Sequence, residues 1–167
     1  GKMGMPIAAA FAALTGNTTG VDIDQTVVDA VQEGRAPVAN EPGLPQLVAH
    51  TVDEGSLTAT TDGRAAARQA RVHVVIVPTL VENGTPDLSN LRAVVHAVAD
   101  GLEPGDLVCI ESTVPPRTTT DVVEPTLVDR SDCDRDQFGL AFCPERTASG
   151  RALRDIGGSY PKIVGGV

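Results

Sequence analysis

The sequence predicts an α/β fold, a doubly wound and mostly parallel sheet with helices on both faces, and three observations predict it. Short apolar runs such as VHVVIVP and LVCIES have the length and β-branched content of buried strands. Between such runs lie stretches whose apolar residues recur every three or four positions, as on one face of a helix. The two kinds of segment alternate, and alternation at this spacing builds βαβ units.

Each element has a local reason. Met5 to Leu14 is rich in helix-favouring alanine, Pro6 is tolerated in a first turn where its missing N–H costs nothing, and Gly16-Asn17 ends the helix. Thr18 to Asp22 reads as a short strand, and Asp24 as the N-cap of a helix running through Val27, Val28 and Val31 to the break at Glu33-Gly34. Pro37 and Pro42 keep the stretch from Arg35 to Leu44 a loop; a short helix from Leu44 to Glu54 then carries Leu44, Leu47, Val48 and Val52 on one side. SLTATT is a strand candidate, Arg64 to Ala70 a short helix, and VHVVIVP the clearest buried strand. Thr79 to Pro86 reads as a polar loop. The helix from Leu88 to Leu102 aligns Leu91, Val94, Val95 and Val98 on a face and ends at Pro104-Gly105. LVCIES is the next strand. A helix from about Arg117 to Leu127, bent or interrupted at Pro125, leads through an acidic stretch to the strand LAFC, and KIVGG offers one further strand.

Length and charge set limits. A chain of 167 residues suits one globular domain with a real core. Twenty-two acidic residues against 13 basic ones give a net charge of -9, which opposes nucleic acid and anionic membrane surfaces as partners. The apolar run from Met3 to Leu14 lacks a basic leader and is too short to span a bilayer, so a cytoplasmic location is expected. Cys109, Cys133 and Cys143 include no CxxC pair, and His50, His73 and His96 are scattered, so no metal site is expected.

Sheets of this kind bind ligands beyond the carboxyl ends of their strands. GKMG supplies the last two glycines of a GxGxxG turn if the first lies two residues ahead of Gly1; such a turn admits a pyrophosphate to the backbone and to the helix N–H groups. Asp22, 21 residues after Gly1, ends the next strand where a carboxylate can bind a ribose hydroxyl pair and disfavour the extra phosphate of NADP. The alternative is that Asp22 caps the following helix, a role Asp24 fills equally. Beyond Pro78, Thr79 can offer its hydroxyl to a cofactor, or is a turn residue; Asp87 reads as an N-cap and Glu82 as solvated. In ESTVPPRTT, Ser112 and Thr113 can hold a substrate oxygen or a water; capping of local N–H groups is the competing role for Glu111 and Ser112. In AFCPER, Glu145 can serve as a general base and Arg146 can pair with an anionic substrate or with Glu145. Cys143, at the end of an apolar strand, reads as a packing residue and not a nucleophile.

Taken in order, GKMGMP, GVDID, NEPGL, VPT followed by PDL, GDLVCIESTVPP and FCPER resemble the amino-terminal, Rossmann-like domain of the UDP-glucose/GDP-mannose dehydrogenase family over essentially the whole chain. Those enzymes oxidise nucleotide sugars to uronic acids, and FCPER is most like the branch acting on UDP-N-acetylhexosamines. The resemblance implies NAD as cofactor, with Gly1, Lys2, Met3 and Gly4 in the dinucleotide loop, Asp22 on the adenosine ribose and Thr79 in the cofactor-side loop. It implies that Thr113 helps hold a catalytic water near the nicotinamide, that Glu145 stands at the oxidation site, and that Arg146 contacts substrate. It further implies two successive oxidations at the sugar C6, and UDP-N-acetyl-D-mannosamine as the substrate, with UDP-glucose as the alternative. A homodimer or larger homo-oligomer follows for the complete protein. The nucleophilic cysteine, its assisting lysine and aspartate, the central helix and the UDP-sugar domain of the family all correspond to positions beyond Val167, and neither Cys143 nor Lys162 matches them. The sheet's first strand corresponds to positions before Gly1. The chain is therefore expected to be a partial NAD-binding domain, truncated at its first strand and inactive alone. Leu80 stands where the family usually has proline, and Arg117 where it usually has glycine. A hydroxyacid dehydrogenase of the 3-hydroxyisobutyrate kind shares the glycine turn but not ESTVPP with FCPER, and a nonenzymatic dinucleotide-binding domain is the remaining alternative.

Overall fold

Helices and strands alternate along the chain in the computed structural model, which describes every residue except Tyr160. α1 (Gly4–Thr15) leads to β1 (Thr18–Val21) and α2 (Gln25–Gln32), followed by α3 (Leu44–Asp53), β2 (Leu57–Thr60) and α4 (Gly63–Ala67). β3 (Val72–Val75) precedes β4 (Leu80–Glu82), β5 (Thr85–Asp87), α5 (Ser89–Ala99) and β6 (Leu107–Ile110). A π-helical turn at Thr119–Val123 runs into α6 (Glu124–Arg130), and β7 (Gly139–Phe142), α7 (Ala152–Arg154) and β8 (Gly165–Gly166) come last.

Local chemistry sets the ends of these elements. α1 is one residue longer at each end than its alanine run suggested, and stops where Gly16 takes φ 72° and donates its N–H to the Ala12 carbonyl. Asp24 caps α2 by accepting from the Thr26 amide at 2.8 Å and the Thr26 hydroxyl at 2.7 Å, and these bonds hold its carboxyl below the usual range. The bend expected at Pro125 is the π-helical turn just before it: the Glu124 N–H reaches back to the Thr119 carbonyl, and Pro125 falls in the first turn of α6, where no N–H is needed. Arg117, in the family's glycine position, has φ 71°, a conformation glycine adopts freely. Its guanidinium bonds the Asp121 carboxylate at 2.8 and 3.0 Å, which offsets part of that strain.

The expected polar loop from Thr79 to Pro86 is instead a hairpin. β4 and β5 pair antiparallel, with Glu82 opposite Thr85 across Asn83 and Gly84, whose φ values are 52° and 78°. Two successive positive φ values suit a two-residue turn whose twist matches the flanking strands, and Asn-Gly is the residue pair that adopts it most readily.

The chain divides into two compact units, Gly1–Asp62 with Arg146–Pro161, and Gly63–Glu145 with Lys162–Val167. Each unit has parallel strands of its own. In the first unit β1 pairs with β2 in parallel, Thr18 opposite Leu57 and Val21 opposite Thr60. Its core gathers Met5, Ala9, Val28, Leu44, Val48 and Leu57, with Leu153 packed against it. Glu41, only 5% exposed, ties the returning segment down by accepting from the backbone N–H groups of Gly150 at 2.9 Å and Leu153 at 3.2 Å. Glu41→Ala strips these donors of their acceptor and is expected to cost about 1–3 kcal/mol in urea unfolding, with a smaller loss for Glu41→Gln, which keeps one acceptor oxygen.

In the second unit the strand order is β3-β6-β7-β8, the first three parallel and β8 antiparallel. Alternation along the strands sends Val75, Val108, Ile110 and Leu140 to one face, where they meet Leu91, Val95 and Val98 of α5 together with Val123 and Leu127. The carboxyl ends of β3, β6 and β7 then lie side by side, so Thr79, the run from Glu111 to Thr113, and Glu145 follow neighbouring strands.

Candidate functional site

The glycine turn and Asp22 both belong to the first unit. Asp22 Oδ1 accepts from the Asp24 amide at 3.1 Å, and Oδ2 faces the amino group of Gly1, the first residue of the sequence. Asp24 and not Asp22 supplies the side-chain cap of α2, so the alternative role for Asp22 belongs to its neighbour. The Asp22 side chain is 28% exposed, reachable by a ligand and not buried in the core. Gly1 and Lys2 are exposed, Met3 and Gly4 half-buried, and the Met5 N–H closes the turn on the Gly1 carbonyl at 3.1 Å. A side chain at Gly1 would meet nothing within 4 Å, so the space beside it is open. Arg146 also belongs to this unit; its guanidinium is exposed and 3.5 Å from the Pro161 carbonyl.

The second unit holds Thr79, Thr113 and Glu145. The Thr79 hydroxyl is buried without a hydrogen-bond partner, and Asn90 braces the preceding turn by donating to the Pro78 carbonyl at 3.2 Å. Ser112 is buried and its hydroxyl accepts from the Val77 N–H at 2.8 Å, so it fastens the chain beyond β3 to the end of β6, a cross-strand bond in place of the local capping considered for it. The next residue, Thr113, is exposed, with its hydroxyl at the surface beyond β6. The backbone ladder continues past the strands: Glu111 N–H donates to the Val75 carbonyl at 2.8 Å, and Glu145 N–H to the Glu111 carbonyl at 3.3 Å.

This continuation puts two carboxyl groups beside one cation. Lys162 Nζ lies 2.8 Å from Glu111 Oε1 and 3.7 Å from Glu145 Oε2. Glu111 is 6% exposed and its Oε2 is buried without a hydrogen bond. Burial pushes its carboxyl above the usual range, Lys162 opposes the shift, and neighbouring Glu145 adds to it. Reasoning from the sequence identified Glu145 but assigned nothing to Lys162 and left Glu111 undecided. Seventeen residues separate Lys162 from Glu145, and only the pairing of β8 with β7 brings them together.

Cys143 is buried beside Cys109, whose thiol is pushed up to about 11 chiefly by burial and then by Cys143 itself. A buried thiol of that kind is a poor nucleophile at neutral pH. His73 is buried with Nε2 3.3 Å from Asp106 Oδ2, at the opposite strand ends from Glu145. Among the described residues no group of three His, Cys, Asp or Glu side chains is placed to hold a metal, and no helix is long and apolar enough to cross a membrane.

Residues 1–167 match the UDP-glucose/GDP-mannose dehydrogenase family, NAD binding domain. The chain is 34% identical to an NDP-N-acetyl-D-galactosaminuronic acid dehydrogenase of Ralstonia nicotianae, covering 100% of this chain and 40% of that protein. It is also 34% identical to a UDP-N-acetyl-D-mannosamine dehydrogenase of Campylobacter jejuni, covering 100% and 42%. Its fold is similar to that of a GDP-mannose dehydrogenase from Pseudomonas aeruginosa solved as a ternary complex, with a TM-score of 0.94, 27% identity and coverage of 100% of this chain and 39% of that one. The chain thus spans about 40% of the length of the curated relatives it matches.

Proposed function

Because this chain belongs to the UDP-glucose/GDP-mannose dehydrogenase family and is matched along its whole length by that family's NAD-binding domain, we propose that it is the NAD-binding part of a longer nucleotide-sugar dehydrogenase. The complete enzyme oxidises C6 of a UDP-N-acetylhexosamine, UDP-N-acetyl-D-mannosamine first among them, to the carboxylate in two successive steps. Further segments supply the nucleophilic cysteine with its lysine and aspartate, the central helix of a homodimer or larger assembly, and the UDP-sugar domain. Residues 1–167 alone are expected to turn nothing over. The substrate assignment draws support from FCPER and from the N-acetylhexosamine relatives.

The residues fit the cofactor. The open turn at Gly1 to Gly4 receives the pyrophosphate with Lys2 and Met3 forming its rim, and Asp22 accepts hydrogen bonds from the adenosine ribose hydroxyls. The buried, unpartnered Thr79 hydroxyl gives the cofactor-side loop a polar contact that the protein itself leaves unused. NAD, when bound, accepts hydride in each oxidation. Glu145 takes the proton as the C6 alcohol is oxidised and later orients the water that releases product; the exposed Thr113 hydroxyl holds that water, and Arg146 meets an anionic group of the substrate.

The observation that carries this reading is the exposed glycine turn at the start of α1, in the same unit as Asp22, whose side chain is 28% exposed directly after β1. Its test is isothermal titration calorimetry of NAD on the full-length protein containing these residues. Asp22→Ala is expected to weaken NAD about ten- to a hundredfold, the effect of losing hydrogen bonds to a charged acceptor, and to narrow the preference for NAD over NADP. Unchanged NAD affinity in this variant would remove Asp22 from the site. Parallel assays with UDP-N-acetyl-D-mannosamine and UDP-glucose assign the sugar: faster NADH formation from UDP-glucose overturns the N-acetylhexosamine assignment.

A further inference from the structure

We propose that Lys162 is a positioning residue of the oxidation site, clamping the Glu111 and Glu145 carboxyl groups side by side and so keeping Glu145 in its proton-accepting form. The inference rests on the reading of Glu145 given above only for its catalytic meaning; the clamp itself stands on geometry.

The backbone builds the clamp. β8 runs antiparallel to β7 with Gly165 opposite Phe142 and Gly166 opposite Ala141. Extending that register backwards sets Lys162 opposite Glu145. Across β7, the register of β6 with β7 sets Glu111 opposite Cys143, and beyond the paired residues the Glu111 carbonyl accepts the Glu145 N–H at 3.3 Å, which draws the two acids together. Three adjacent strand extensions therefore each contribute one charged side chain, and the ammonium reaches both acids at 2.8 and 3.7 Å. Gly165 and Gly166 bring no side chains of their own, so Lys162 is the functional group this edge strand delivers.

The electrostatic consequence follows from counting charges. Two adjacent carboxylates, one of them 6% exposed, cannot both stay ionised without compensation, since burial and mutual repulsion each favour protonation. The nearby Cys109 thiol offers none, being half-buried and pushed up to about 11. Lys162 brings a positive charge to both acids. With it in place, that charge offsets one of the two negative charges carried when both acids are ionised. Without it, one proton enters the pair, favours the buried Glu111 and hydrogen-bonds the two carboxyls together, so that Glu145 becomes a weaker acceptor of the substrate's proton.

The test compares full-length wild type with Lys162→Met, which preserves the length of the stem without its charge, and with Lys162→Gln as a second variant. Infrared spectra at neutral pH with labelled glutamate are expected to gain one protonated-carboxyl band in both variants and to lose it again in Lys162→Met/Glu111→Gln. In turnover, the acidic limb of the kcat profile is expected to move up by about one to three pH units, the shift an opposite charge imposes on a carboxyl, with the KM for NAD unchanged. Absence of the new band in both single variants overturns the clamp, whatever the activity. A new band with an unmoved kcat profile overturns its link to Glu145. Wild type that forms no NADH from any nucleotide sugar instead defeats the functional reading, and the infrared comparison still decides the clamp.

Discussion

Glu145→Gln in the full-length protein is expected to lower kcat for nucleotide-sugar oxidation by about 10²- to 10⁴-fold, the range a positioned general base contributes. The substitution is nearly isosteric and keeps a hydrogen-bonding group at the carboxyl end of β7, so its effect reports the lost ability to take a proton. Its neighbours survive it: Lys162 retains Glu111 at 2.8 Å, and the Glu145 N–H still donates to the Glu111 carbonyl. NAD affinity and the unfolding midpoint should therefore match wild type while turnover collapses. Steady-state NADH formation alongside calorimetric NAD titration separates the two. A fall of less than about threefold in kcat would remove Glu145 from the chemistry, because general-base contributions are far larger.

The second large effect concerns stability. Leu127→Ala is expected to destabilise the second unit by about 2–5 kcal/mol in urea unfolding, the cost of deleting a buried leucine and leaving a cavity. Leu127 is 0% exposed and packs in the cluster formed by Val95 and Val98 of α5, Val123 before it, and Val108 and Ile110 of β6. Its place depends on the π-helical turn, since the extra residue there sets the rotation of α6 and so which of its side chains meet the sheet. Val122, on the same turn but only half-buried, is the internal comparison. A Leu127→Ala loss below about 1 kcal/mol would mean that this face of α6 contributes little to the core.

Much of this was legible in the sequence because the relevant patterns are local. Alanine content and Gly16 delimit α1, Asp24 announces α2, and the valine-rich run marks the strand that became β3. The alternation of segments was enough for a mostly parallel α/β arrangement. The β4–β5 hairpin was passed over although Asn83-Gly84 is a strong turn signal; the flanking residues Leu80 to Glu82 are exposed and do not alternate as a half-buried strand would. Arg117 looked like a misfit because its helix-turn partner Asp121 becomes visible only once the backbone is folded. Asp22 in the first unit, and Thr79, Thr113 and Glu145 in the second, are candidates that a purely positional rule singles out, polar residues at or just beyond strand ends. Lys162 escaped because its meaning comes from antiparallel pairing with a strand more than twenty residues earlier, and Glu111 because its carboxyl acquires a role only in that company.

Glu145 and Arg146 are consecutive, yet the boundary between the two units runs between them, as it does after Asp62 and after Pro161. Neither half is therefore a cassette. A recombination event or a designed chimera that imported residues 1–62 alone would carry Glu41 into a foreign host without the Gly150 and Leu153 amides evolved to occupy it. Exchange between relatives has to move 1–62 and 146–161 together, so drift in one stretch constrains what the other can tolerate.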